Sequence, residues 1–309
     1  MTTRKRPSRP VHGWLVLDKP KGVTSTAAVG RVRRFFGAAK AGHGGTLDPL
    51  ATGVLPIALG EATKTVAFEM EGTKIYRFTV RWGEERSTDD AEGAVTAVSP
   101  RRPAESEIRA VLPEFIGNLQ QVPPAYSAVK VKGKRAYDLA RAEICVTLAP
   151  RTVVVEDMTL VAVPDLDHAT FVVRCGRGTY MRALARDLGR RLGTAAYIAE
   201  LRRLAAGPFT EDQAIPLDSL ETLGHSAAAQ TRLLPVETAL DDIPALALSE
   251  AEARSLRSGQ SVPLLRAADA DRVQGIAPGT RVCAMAGGKP VAVALFDEGR
   301  LKPVRVFNL

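Results

Sequence analysis

The chain has 309 residues, 45% of them apolar and 25% charged, a globular composition with room for one large domain and a small one. No stretch of about 18 uncharged apolar residues is present, so no helical membrane span is expected. Net charge is +8 and is uneven: residues 1–40 carry ten basic residues against Asp18, so that segment is +9 and the remaining 269 residues sum to −1. Such concentration suits a polyanion such as RNA, or a plain solvated basic face.

The N-terminus, residues 1–10, is basic without an apolar core, so it reads as a loose tail rather than a secretory signal. Gly13 to Asp18 predicts a short buried strand through Trp14, Leu15, Val16 and Leu17, broken by a turn at Lys19-Pro20-Lys21-Gly22. Ser25 or Thr26 can cap a helix running to about Phe36, with Val29, Val32 and Phe36 on one face. A glycine-rich loop follows over Gly42 to Gly53, then an apolar run over 54–59. Residues 74–83 alternate as a strand through Ile75, Phe78, Val80 and Trp82, and further strands are predicted near 127–132, 144–148, 152–163 and 169–175. Residues 179–192 predict a helix with Met181, Leu184, Leu188 and Leu192 on its apolar face and Arg182, Arg186 and Arg190 at i, i+4 spacing on another. The character changes over 210–245, with prolines and acids. A short helix from Ser249 to Ser258 and several short strands with glycine turns then end the chain. Runs of strands with a few helices predict an α+β fold with a mixed sheet and a compact β-rich terminal domain.

Cys145, Cys175 and Cys283 lie far apart, as do His12, His43, His168 and His225. That spacing suggests neither a disulfide framework nor a metal site, and a reducing cytoplasm is the expected setting. The densest signal is Gly42 to Pro56, where Asp48 sits before Pro49 among Gly42, Gly44, Gly45 and Gly53, with His43 nearby. Proline restricts the preceding residue toward extended geometry, so a carboxylate is held on a stiffened loop. It is not a phosphate loop, because no Gly-Lys-Ser/Thr ends it. Taken alone, Asp48 reads first as the residue that closes an ordinary turn, as Asp before Pro often does. The acids Asp89-Asp90 invite a glycosidase reading, set aside because adjacent acids at a strand end diverge.

The loop resembles the signature of the TruB family of tRNA pseudouridine synthases, and other segments follow in order. Leu17 to Gly22 resembles the family's first motif, Lys74-Ile75-Tyr76-Arg77 its tyrosine strand, and Gln121 to Lys130 with Gly133 to Tyr137 its middle motif. Cys175 to Arg182 is similar to the motif that supplies an arginine, and Leu201-Arg202-Arg203-Leu204 to the last catalytic segment. The resemblance covers roughly residues 12–210; residues 245–309 resemble a small PUA-like RNA-binding domain only loosely. It implies a largely antiparallel mixed sheet in a catalytic domain over 11–235, with the PUA-like unit over 245–309.

The implied activity is isomerisation of uridine 55 in the tRNA T loop, with the base flipped out at a cost of a few kcal/mol. Asp48 is the implied nucleophile, at C1′ or at C6 of the ring. A nucleophilic carboxylate in a closed site keeps its charge through a paired cation, and Arg182 is that partner by resemblance. Tyr76 is expected to stack on the base and relay a proton, and Tyr180 and Leu201 to line the uracil pocket. Lys19 and Pro20 are expected to buttress the site beside the substrate. His43 is expected to take the vacated stacking position. Arg202, Arg203, Lys64, Lys130 and the basic 31–40 segment are candidates for phosphate contacts. The rearrangement is redox-neutral, so no cofactor or metal is expected. The resemblance further implies a monomer acting without guide RNA or membrane. Competing expectations are an RNA chaperone that needs no chemistry, and a guide-RNA-dependent synthase with partner proteins.

Overall fold

A computed structural model of the protein describes residues 10–127, 130–131, 134–135, 148–223, 227–264 and 269–309. Most of the basic tail, Cys145 and the predicted strand residues 144–147 lie outside the described residues.

In chain order the first sheet uses β1 (Gly13–Lys19), β2 (Ala41–His43), β3 (Thr52–Leu59), β4 (Lys74–Trp82), β5 (Gly117–Gln121), β6 (Arg151–Asp165), β7 (His168–Cys175), β8 (Ala196–Ala206), β9 (Phe209–Thr210) and β10 (Ile215–Pro216). Its order is β10-β1-β3-β8-β4-β7-β6-β5, with β2 on β3 and β9 on β8. The β1–β10 and β3–β8 pairs are parallel and the rest antiparallel, so the expected α+β class with a mixed, largely antiparallel sheet is what forms. Trp14 to Leu17 are buried on both faces of β1, as a continuous apolar run in a covered strand should be. Period-2 alternation buries Phe78, Val80 and Trp82 on β4 and Ala169, Phe171 and Val173 on β7. Phe78 and Phe171 face each other in register and stack at 5.4 Å, each contributing about 1.5–3 kcal/mol of burial.

Helix α1 (Ser25–Phe36) is capped by Thr24, whose hydroxyl accepts from Ala27 N, and not by Ser25 or Thr26. The displaced Ser25 hydroxyl turns inward to the glycine-rich loop instead. Helix α2 spans Val66–Glu71. The predicted arginine-bearing helix is α3 (Met181–Arg191), whose start is held by Gln121: its side chain accepts from Tyr180 N at 2.8 Å and donates to Tyr180 O at 3.1 Å. Met181, Leu184 and Leu188 enter the core as their spacing predicts.

Residues 245–306 form a separate five-stranded sheet: β11 (Ala245–Ala247), β12 (Val262–Pro263), β13 (Thr280–Ala286), β14 (Lys289–Asp297) and β15 (Arg300–Val306). Helix α4 (Glu250–Arg257) packs on it, started by a capping box between Ser249 and Glu252. This unit has its own core around Leu246, Leu256, Val282 and Leu301. It adjoins the large sheet through a shared apolar cluster in which Cys283, Val293 and Phe307 meet Trp14, Val54 and Phe209. Lys64 and Glu61 reinforce the join: the ammonium donates to Val306 O and Glu61 accepts from Asn308 N, each at 2.7 Å.

Candidate active site

The Asp48 loop leaves β2 at His43 and enters β3 at Thr52. Its neighbours on both sides of Asp48 are pinned. Leu47 exchanges two bonds with the Ser25 hydroxyl, which accepts from Leu47 N at 2.8 Å and donates to Leu47 O at 2.9 Å. The Pro49 carbonyl accepts from Gly22 N at 2.8 Å and from Lys19 Nζ at 3.3 Å. The turn predicted at 19–22 thus exists to hold this loop. With residues 47 and 49 fixed, the backbone that carries Asp48 is held in place, and its side chain is 36% exposed, open to an incoming substrate.

Arg182 Nε lies 2.9 Å from Asp48 Oδ2, and the guanidinium is otherwise buried. Its remaining nitrogens donate to Thr88 O at 3.0 Å and Tyr126 O at 2.9 Å, and Asp90 Oδ2 lies 3.5 Å from Nη1. A fork held at three points cannot swing away from the carboxylate. Two of these holders come from the segment that includes Asp89-Asp90. These two acids do diverge, each to a different arginine: Asp90 to Arg182, and Asp89 to Arg186 at 2.8 Å. Arg190 continues the ladder to Glu85 at 2.8 Å. Burial pushes the Asp89 carboxyl up to about 6 against the pull of Arg186 and Arg182. The sequence reading weighed Asp90 only as half of a glycosidase pair and not as a partner of Arg182; the signal for that role was the helical arginines, which need anions wherever they are buried.

Tyr76 lies on β4, half-buried, opposite Arg203 of β8 in register. Burial raises its phenol above the ordinary value, partly offset by Arg203, whose guanidinium carbon is 6.0 Å from the ring centre. Leu201, two residues before Arg203 and so on the same strand face, is buried in the core cluster against which Tyr76 packs. Tyr180 ends the loop before α3, close enough to Asp48 and Arg182 for both charges to act on its phenol, which burial raises. His43 is half-buried with Nδ1 lacking a hydrogen-bond partner among the described residues. Burial, then the charge of Arg203, lowers its pKa and favours the neutral ring.

Three of the expected site residues are held by partners within the protein. Lys19 is fully buried, with Nζ donating to Pro20 O, Val23 O and Pro49 O, so it clips the loop from beneath. Arg202 pairs with both oxygens of Asp18 at 3.0 Å and with Glu211, so its charge is already shared with two carboxylates while its side chain stays partly exposed. Arg203 is 1% exposed and lies beneath the loop, not on a surface. Strand alternation sends these two adjacent arginines to opposite faces. The Lys130 side chain lies outside the described residues. The exposed basic residues at the end of α1 are Arg31, Arg33, Arg34 and, just beyond it, Lys40.

Burial lowers the Lys19 ammonium to about 8, while Asp48 pulls it upward. Between about pH 8 and 10.5 the unfolded chain holds this proton more tightly than the folded one, so the titration itself adds stability as pH rises. A fall in turnover through pH 8 with no fall in melting temperature is therefore the expected signature of the unclipped loop. A rate that stays level from pH 7 to 9.5 would show that the ammonium charge does not set the loop.

Among the described residues no group of His, Cys, Asp or Glu is arranged to hold a metal ion, and no helix is long and apolar enough to cross a membrane. A cavity of about 530 Å³ lies elsewhere, at the join with the second sheet, lined by Glu237, Asp241 and Asp242 among others. Its acids disfavour a phosphate ligand.

A family model described as TruB family pseudouridylate synthase (N terminal domain) matches residues 33–181. A second, described as tRNA pseudouridylate synthase B C-terminal domain, matches residues 182–241. The tRNA pseudouridine synthase B of Rhodospirillum rubrum is 53% identical over 307 residues, covering 99% of this chain and 100% of the relative. That of Caulobacter vibrioides is 51% identical over 307 residues, covering 99% of each. Among solved structures, a chain of the archaeal box H/ACA sRNP Nop10-Cbf5 complex is similar at 26% identity and TM-score 0.73, over 97% of this chain and 87% of that one.

Proposed function

Because the chain belongs to the TruB family of pseudouridylate synthases, we propose that it converts a uridine of tRNA, uridine 55 of the T loop, to pseudouridine with Asp48 as the nucleophile and without guide RNA. The observation that carries this reading is the Asp48 carboxylate, open to substrate, pinned through residues 47 and 49 and paired with Arg182 at 2.9 Å.

The reaction breaks the N1–C1′ bond, turns the uracil and closes a C5–C1′ bond. The C5 proton leaves and N1 gains one, so nothing is oxidised or consumed. Asp48 holds the nucleotide covalently while the base turns; attack at C1′ and addition to C6 both use the same carboxylate oxygens. Arg182 keeps the carboxylate aimed and supplies its counter-charge. Tyr76 stacks on the flipped base and serves the proton transfer, and Tyr180 with Leu201 shapes the pocket around the ring.

His43, whose pKa burial lowers and whose Nδ1 has no hydrogen-bond partner among the described residues, takes the stacking place the base vacates. Removing a stacking partner is worth about 1–3 kcal/mol. His43→Ala is therefore expected to slow the reaction about tenfold on folded tRNA, and less on a single-stranded substrate. An equal loss on both would remove the wedge role.

The basic end of α1, with Arg31, Arg34 and Lys40 exposed, supplies phosphate contacts to the T stem, and the 245–306 sheet acts as a PUA-like RNA-binding unit. The protein works as a monomer in the cytoplasm. Purified protein given an unmodified T-arm stem-loop and nothing else tests the reading. Pseudouridine at one position supports it; product only on addition of a guide RNA and partner proteins replaces it with the guide-dependent kind.

A further inference from the structure

Arg203 stands where β8 lies between the strand that follows the Asp48 loop and the strand of Tyr76. In β8 its backbone pairs with Gly53 of β3 on one side and with Tyr76 of β4 on the other. Gly53 is the second residue of β3, directly after the Asp48 loop, and Tyr76 is an aromatic residue of the site. A side chain at position 53 could not exist: its Cβ would lie 2.2 Å from Arg203 O, and the glycine holds φ +97°. The guanidinium then reaches beneath the loop, with Nε donating to Val54 O at 2.7 Å and Nη2 to Gly45 O at 3.0 Å. These carbonyls stand at the two ends of the segment that carries Asp48. A single planar fork therefore closes the base of the loop and, through its own strand, ties it to the strand of Tyr76.

The charge around this fork is also arranged. Arg203 and Lys74 both act on the Glu69 carboxylate, which is buried against the loop at Gly44, with Lys74 Nζ at 3.5 Å. A Cβ at Gly44 would fall 1.9 Å from Glu69 Oε2. A buried guanidinium costs several kcal/mol to desolvate unless its nitrogens are bonded and its charge is answered. Here Nε and Nη2 are bonded to carbonyls of the loop and of β3, and the acid they act on in the layer beneath is Glu69, whose carboxyl burial raises against the pull of Lys74 and Arg203.

We propose that Arg203 is a positioning residue for the isomerisation: it sets the separation of Asp48 from Tyr76 by holding Gly45 O and Val54 O across the base of the loop. This rests on the functional reading above. It touches no substrate; Asp48 and Tyr76 act, and Arg203 fixes their spacing. A lysine carries the charge and can donate to two acceptors from one atom, as Lys19 does, but it lacks the two planar N–H donors at fixed spacing that set the separation of these carbonyls. Misplacement by about 1 Å costs on the order of 100-fold in rate.

The test compares Arg203→Lys and Arg203→Ala with the intact chain. Three quantities are read: single-turnover rate on a T-arm stem-loop, affinity for that RNA, and amide hydrogen exchange over residues 44–56 against 74–82. Arg203→Lys is expected to lose about 30-fold in rate with affinity unchanged and exchange faster only over 44–56, and Arg203→Ala to lose more. A rate within threefold of the intact chain in the folded lysine variant overturns the proposal. So does faster exchange spread over both segments, a parallel loss of RNA affinity, or failure of both variants to fold, since each describes a merely structural arginine. Should the intact chain itself make no pseudouridine, the functional reading fails by that result alone. The exchange pattern then still decides the arginine's hold on the loop, faster over 44–56 supporting it and unchanged overturning it.

Discussion

Asp48→Asn is expected to abolish pseudouridine formation, by about 10⁴-fold or more, while leaving tRNA affinity within roughly threefold, because phosphate contacts elsewhere set affinity. Asparagine keeps the shape, and residues 47 and 49 keep their bonds to Ser25, Gly22 and Lys19, so the loop stays in place. What disappears is the nucleophile: a neutral amide oxygen cannot form and release the covalent link at a useful rate. Arg182 loses one partner but keeps Asp90 and two carbonyls, so its buried charge is still answered and the variant should fold. The experiment is product mapping with the purified variant, alongside a binding titration at fixed salt. Turnover within tenfold of the intact chain would end the nucleophile assignment. Loss of binding together with product would mean that Asp48 supports the RNA surface instead of the chemistry. Full benefit to tRNA folding with no product from either protein would favour the chaperone reading.

Local pattern carried much of this site. The glycine-rich loop, the proline after Asp48 and the helix bearing Arg182 are all periodic or punctuated signals within 15 residues, and the structure places them at Gly44–Ala51 and Met181–Arg191. What the pattern left open are pairings between segments far apart in the chain. Arg202 and Arg203 read alike as basic residues; alternation requires opposite faces but does not say which face is covered. That is decided by Asp18 and Glu211 arriving beside one, and by Gly45 and Val54 arriving over the other. Asp89 and Asp90 read as a divergent pair, and the reason for their divergence, two arginines one helical turn apart, lies about 90 residues away. Ser25 was a plausible cap by type, yet Thr24 caps the helix and leaves the Ser25 hydroxyl for Leu47. In each case the residue type was informative and the partner was set by sheet order.

Arg182→Ala should produce the second large effect, a fall in rate of about 100- to 1,000-fold in a protein that still folds. The guanidinium answers two carboxylates, Asp48 and Asp90, and fills hydrogen bonds to Thr88 O and Tyr126 O. Removing one partner of a buried ion pair costs about 3–5 kcal/mol, but the loss divides here. Asp48 is 36% exposed and recovers water, whereas Asp90 is buried and does not. The stability cost should therefore fall mainly on the 88–90 segment, visible as faster exchange there. The rate cost falls on Asp48, which loses its aim and its counter-charge together. Arg182→Lys separates these terms. It restores a cation but cannot hold Asp48 and both carbonyls from one planar group, so its rate should lie between alanine and the intact chain, with stability largely recovered. Equal rates for lysine and arginine would show that charge alone suffices. A normal rate in the alanine variant would show that Asp48 reacts without its partner, and the geometry on which the functional reading rests would have no chemical meaning.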